Sequence, residues 1–163
     1  KGGFEDVATF QDRPFDAILS LGNSLSLIDS FEKLHNAISG FAKALAGPGL
    51  LIIQTPNFNR FADPENRWKC LPSDAADESR IAFKHFSPWG DSHYAVEFLT
   101  IYFDAERKWS HEIKRSRILN LAPERLEPIL ADSFEIKERY GHADGRPFEI
   151  DSPDCILVAN VRR

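Results

Sequence analysis

Two short segments hold the best candidates for ligand-binding chemistry in this chain: Leu21-Gly22-Asn23-Ser24 and Thr55-Pro56-Asn57-Phe58. Each comes after an apolar run without alternation, Ala17-Ile18-Leu19-Ser20-Leu21 and Leu50-Leu51-Ile52-Ile53. Such runs read as strands of a parallel sheet, buried on both faces. Glycine lets a backbone approach a ligand closely, and asparagine offers an amide donor and an acceptor. Open α/β sheets bind ligands beyond the carboxyl ends of their strands, so two parallel strands would put both segments on one rim. Gly22-Asn23 reads equally well as a turn that only ends a strand. Other chemistry finds less support. His35, His85, His93, His111 and His142 show no HxxxH or HxH spacing, so no metal centre is expected. Ser24 and Ser26 lack a nucleophile elbow, and neither GxGxxG nor a P-loop occurs.

Periodicity predicts the scaffold around these segments. Phe31, Leu34, Ile38, Phe41 and Leu45 recur at spacings of three and four, which predicts an amphipathic helix. Asp29 can cap it with Glu32 completing a capping box, and Gly47-Pro48-Gly49 should end it. Strand, helix and strand make a right-handed βαβ unit. Residues 57–79 read as a loop or lid, with a solvated charge run from Asp74 to Arg80. Three alternating stretches come next, at 80–86, 94–103 and 109–119, with Asp104 to Lys108 as a hairpin connection. The third sets Trp109, His111, Ile113, Arg115 and Arg117 against Ser110, Glu112, Lys114, Ser116 and Ile118. Pro123 suits a first helical position, and Pro128 should kink or shorten that helix. Strands are expected at Phe134 to Tyr140 and Cys155 to Ala159.

Length and composition bound the rest. With 163 residues and 42% apolar residues the chain can build one core. A net charge of -5 argues against a nucleic-acid partner. No apolar run approaches the ~20 residues of a membrane span, and no signal peptide is visible. Cys70 and Cys155 form no CxxC pair, which fits a reduced, cytoplasmic setting. The chain starts at Lys1 and has no methionine, so its true N-terminus is expected to lie outside this sequence.

Phe15-Asp16-Ala17-Ile18-Leu19-Ser20-Leu21-Gly22-Asn23-Ser24 is similar to the fourth-strand motif of class I S-adenosylmethionine-dependent methyltransferases. It most resembles the glycine, sarcosine and related small-amine N-methyltransferases, where that strand ends in Leu-Gly-Asn-Ser. Gly47-Pro48-Gly49-Leu50-Leu51-Ile52 resembles the turn that enters strand five. Tyr140 to Val161 resembles the closing hairpin, with Gly141, Asp144, Gly145, Pro147, Phe148 and Ser152 in familiar places. The glycine-rich cofactor motif of the family is absent from this chain.

The resemblance implies an α/β fold: the C-terminal part of a Rossmann-like methyltransferase sheet, strands four to seven, with an antiparallel β insertion. Residues 1–163 would be one partial domain, with 80–119 as a substrate-side insertion. It implies S-adenosylmethionine as cofactor, contacted by Phe4 through its backbone, by Leu21, Gly22 and Asn23, with Asn23 and Asn57 on the catalytic side. Leu27 and Pro56 stand where the glycine N-methyltransferases carry a histidine and an arginine, which points away from glycine as acceptor. The expected activity is methyl transfer to a small molecule, an amine, by the complete parent protein. The alternative is a non-catalytic α/β domain that binds partners and never had the cofactor loop. Neither a nucleic acid nor a membrane is expected as partner. Because Ala17 to Leu21 would lack strand one beside it, self-association through that apolar edge is expected.

Overall fold

The computed structural model describes residues 3–9, 13–71, 80–103 and 106–162. The charge run at 74–79 and the start of the 104–108 connection lie outside the described residues. The chain divides into two compact units, Lys1–Asn59 with Leu119–Arg163, and Arg60–Ile118.

In the first unit, β1 (Phe15–Ser20) and β2 (Leu45–Pro56) run parallel, joined through α1 (Phe31–Ala44). Residues 119–163 add α2 (Pro123–Ala131), then β7 (Phe134–Tyr140) and β8 (Asp154–Val161). The last strand inserts between its predecessors, giving the order β1-β2-β8-β7, with β8 antiparallel to both neighbours. Leu34, Ala37, Ile38, Phe41 and Ala44 form the buried stripe of α1. On the sheet, Leu51, Ile53, Leu157 and Ala159 are buried on one face.

Three local expectations change. Ser30, not Asp29, caps α1, its hydroxyl accepting from Lys33 N at 3.2 Å. Asp29 instead pairs with the Lys33 ammonium at 2.8 Å. Gly47-Pro48-Gly49 lies inside β2 rather than ending the helix. The pairing jumps from Phe15 with Leu45 to Ala17 with Leu50, so the intervening residues loop out of register. Gly49 is needed there, because the Ala46 carbonyl sits where a Cβ would go. Finally, β1 is not buried on both faces: of its six residues only Ser20 is buried. It is an edge strand, and Ala17 and Leu19 point to the face opposite the buried Ser20.

The second unit is an antiparallel sheet in the order β3-β4-β5-β6, made of Trp68–Leu71, Arg80–Trp89, His93–Phe103 and Trp109–Leu119. The last three strands match the alternating stretches. The first falls within the segment read as loop. A 3-10 turn, Pro64–Arg67, precedes it, with Asp63 capping through Glu65 N at 2.9 Å. Phe61 stacks on Phe86 at 4.2 Å and meets Tyr94 edge-on at 5.5 Å, covering part of one face of this sheet at β4 and β5.

Candidate functional site

Parallel pairing places the ends of β1 and β2 on one rim, and hydrogen bonds join the loop after β1 to the end of β2. Asn23 N donates to Gln54 O at 3.3 Å, and Gly22 N donates to Gln54 Oε1 at 3.4 Å. Gln54 also donates through Nε2 to Asp154 Oδ2 at 3.2 Å. One glutamine side chain therefore ties the loop after β1 to the first residue of β8. Nothing in the sequence marked Gln54 or Asp154, because each lies at the end of an apolar strand and shows no motif.

The loop itself is shaped for close approach. Gly22 (φ 65°) and Asn23 (φ 71°) are both left-handed, a conformation that glycine and asparagine adopt at least cost. A Cβ on Gly22 would meet nothing within 4 Å, so open space faces its backbone. The Ser24 hydroxyl bonds back to Leu21 O, and the Ser26 hydroxyl reaches Asn23 O at 2.9 Å. These bonds hold the turn without using the Asn23 side chain. Asn23 Oδ1 is buried and has no hydrogen-bond partner, as do Ser20 Oγ and Thr55 Oγ1 beneath the same rim. Buried acceptors are normally satisfied, so Asn23 Oδ1 lacks the partner such a group usually has, and the open backbone of Gly22 is its neighbour in the chain. Leu21 is 49% exposed, offering apolar surface next to that acceptor.

Asn57 has a different setting. It is 1% exposed, and its side chain is fully engaged. Nδ2 donates to Ile150 O at 2.9 Å and Ser152 O at 3.0 Å, while Oδ1 accepts from Asn59 N at 3.2 Å. It anchors the loop between β7 and β8 to the end of β2. That loop encloses a cavity of about 360 Å³ lined by His142, Arg146, Glu149, Asp151 and Ser152. Gly141 is required in it, since the Ser152 hydroxyl occupies the space of a side chain there. Asp144 is held below the ordinary carboxylate range by hydrogen bonds from Arg146.

Phe4 opens a 3-10 turn, Phe4–Thr9, and its ring packs edge-on against Phe41 of α1 at 6.3 Å. The structure thus brings Leu21, Gly22 and Asn23 together with Gln54 and Asp154, buries Asn57 against the β7–β8 loop instead, and holds the Phe4 ring against α1. Among the described residues no group of His, Cys, Asp and Glu could hold a metal ion, and no helix is long and apolar enough to cross a membrane.

No protein-family model matches the chain, and no curated protein does. Solved structures do. A S-adenosylmethionine-dependent methyltransferase from Clostridium acetobutylicum superposes with a TM-score of 0.74 over 97% of this chain, at 13% identity. The fold is that of these methyltransferases. CalS10, an amino pentose methyltransferase from Micromonospora echinaspora solved with bound S-adenosylmethionine, gives 0.70 over 96% of the chain at 18% identity. The sugar N-methyltransferase KedS8 from Streptoalloteichus gives 0.62 over 99% at 18%. The chain spans 63%, 63% and 61% of the length of these three proteins.

Proposed function

We propose that the protein carrying this chain transfers a methyl group from S-adenosylmethionine to a small amine, in the manner of the small-amine N-methyltransferases. The observation that carries this is the buried, unpartnered Asn23 Oδ1 beside the open backbone of Gly22, at the carboxyl rim of a methyltransferase fold. The residues fit the cofactor there. Leu21, Gly22 and Asn23 are its contacts, and Phe4 joins them through the backbone of its 3-10 turn, since an elongated ligand touches residues that are not neighbours. When bound, the cofactor supplies an electrophilic methyl group.

This chain's residues orient and enclose rather than exchange protons. Gln54 fixes Gly22 and Asn23 from below. Leu21 presents apolar surface that keeps water from the rim. Asp154, held by Gln54, puts a carboxylate at the same rim, which suits a basic acceptor. Asn57 acts by positioning the β7–β8 loop. Orientation of this kind is worth a large effective molarity, about 10⁵–10⁸ M, without any acid–base triad. Self-association through β1 belongs to the same proposal: β1 pairs with β2 on one side only, and Phe15 and Leu19 are exposed along it.

The test is transfer of a labelled methyl group by the protein carrying this chain, offered a panel of amino sugars and small amines. Transfer that Asn23→Gly abolishes supports the assignment. Failure to bind S-adenosylhomocysteine, together with no transfer, would favour a non-catalytic partner-binding domain.

A further inference from the structure

One face of the β3–β6 sheet sets like charges against each other. Lys69 of β3 pairs with Lys84 of β4, and Lys84 pairs in turn with Phe98 of β5. Residues paired across antiparallel strands point to the same face, about 4.5–5.5 Å apart at Cβ, and like charges so placed destabilise a sheet. Counting in twos adds Arg80 and Phe86 on β4. On β6, Arg115 bonds to Glu97 on the opposite face, so Glu112 and Lys114 belong to this one. The strand charges here are thus Lys69, Arg80, Lys84 and Lys114 against Glu112 alone, in a chain whose net charge is -5. Lys114 takes that carboxylate at 3.3 Å. Among the described residues no carboxylate bonds to Lys69 or Lys84.

We infer that Lys69 and Lys84 bind the anionic group, a carboxylate or a phosphate, of a small ligand whose apolar part lies against Phe98. Lys84 is the informative member. It is half-buried, with Nζ 4.9 Å from the Phe86 ring centroid and 5.3 Å from that of Phe98. Desolvation, and then repulsion from Lys69, holds its pKa below the ordinary lysine value of 10.5. Both costs fall on the free protein, and both are offset when an anion sits between the two ammoniums. The rings attract the ammonium by their faces, but a ring carries no net charge and leaves the repulsion in place.

The surroundings set the direction of approach. Phe86 is 1% exposed and stacked on Phe61, so it closes one side of Lys84, whereas Phe98 is 36% exposed. An anion that reaches Lys84 over Phe98 brings its apolar part onto that ring and removes both from water. An ammonium is a compact charge with three donors, which suits the oxygens of a carboxylate or a phosphate. Every residue of this site belongs to the unit Arg60–Ile118.

The experiment titrates the full chain at low salt with phenyl phosphate and with phenylacetate, and with benzyl alcohol as the uncharged probe, by isothermal calorimetry. The expected result is a Kd of about 1 mM or tighter for at least one anion, with benzyl alcohol at least tenfold weaker. The tighter anion identifies the group as phosphate or carboxylate, and equal affinity means that either serves. Lys84→Gln and Lys69→Gln should each weaken that anion at least tenfold with unchanged far-UV circular dichroism. Lys43→Gln, on α1, should leave it as it was. Lys69 is exposed, so its variant provides the reading should Lys84→Gln misfold. Failure of both anions to bind the full chain would overturn the inference, as would benzyl alcohol binding as tightly as they do. So would an affinity that both site variants keep, or that Lys43→Gln lowers as much.

Discussion

Gln54 and Asp154 meet at 3.2 Å across β2 and β8, and the same glutamine accepts from Gly22 N at 3.4 Å. The site is thus held from beneath by a side chain that need not touch substrate. Gln54→Leu keeps the volume and deletes both bonds. Each is worth about 1 kcal/mol, so the melting temperature should fall modestly while turnover falls at least tenfold. Gln54→Glu sets two carboxylates side by side, and one must then take a proton. That variant should regain activity as pH is lowered, and a pH–rate profile checks it.

Asn23 separates side chain from backbone. Alanine at φ 71° is strained in the left-handed conformation, so Asn23→Ala should lose about 1 kcal/mol besides its acceptor. Asn23→Gly keeps the turn and removes only the side chain. It should retain full thermal stability and lose at least tenfold in turnover. Equal activity in Asn23→Gly would make Gly22-Asn23 a turn and nothing more.

Asn57 should behave in the opposite way. Removing it leaves the buried carbonyl of Ser152, and that of the exposed Ile150, without its donor. Asn57→Ala should cost about 2–3 kcal/mol. Hydrogen exchange should then rise across residues 141–153 before it rises in β2. Loss of activity without that exchange signature would place Asn57 at the chemistry itself.

The second unit carries a pH dependence of definite sign. Hydrogen bonds from His85, then from Arg115, hold the Glu97 carboxyl below its ordinary value of 4.5. Its contribution to stability is therefore complete above that value and fades as pH falls through the lower, folded one. Urea midpoints should drop on acidification below about pH 4.5, and Glu97→Gln should flatten part of that slope.

Much of this fold could be read in the residues, and the failures have particular causes. The spacing of Leu34, Ile38 and Phe41 located α1, because that helix buries one face regularly, and the alternation from Trp109 onward located β6 even though both of its faces are exposed from His111 to Arg117. The four residues of β3 were too short, and too charged around Lys69, to show a period. The cap moved from Asp29 to Ser30 because α1 begins at Phe31, which leaves Asp29 one residue before the cap position. At the site, Gly22 and Asn23 announced themselves by type and place. Gln54 and Asp154 did not, since their importance lies in a pairing between strands 100 residues apart. Asn57 was visible as a residue, but its burial was set by a loop far along the chain.

The tryptophans have a practical consequence of their own. All three belong to the unit Arg60–Ile118, whereas the buried thiol Cys155, pushed up to about 12 chiefly by desolvation, belongs to the other. With the exposed Cys70 replaced by serine, fluorescence would report one half of the molecule and thiol labelling the other. Coincident denaturation curves would mean that the two units melt as one cooperative body. Separated curves would mean that evolution, or an engineer, could alter the unit Arg60–Ile118 without renegotiating the stability of the sheet that holds the rim.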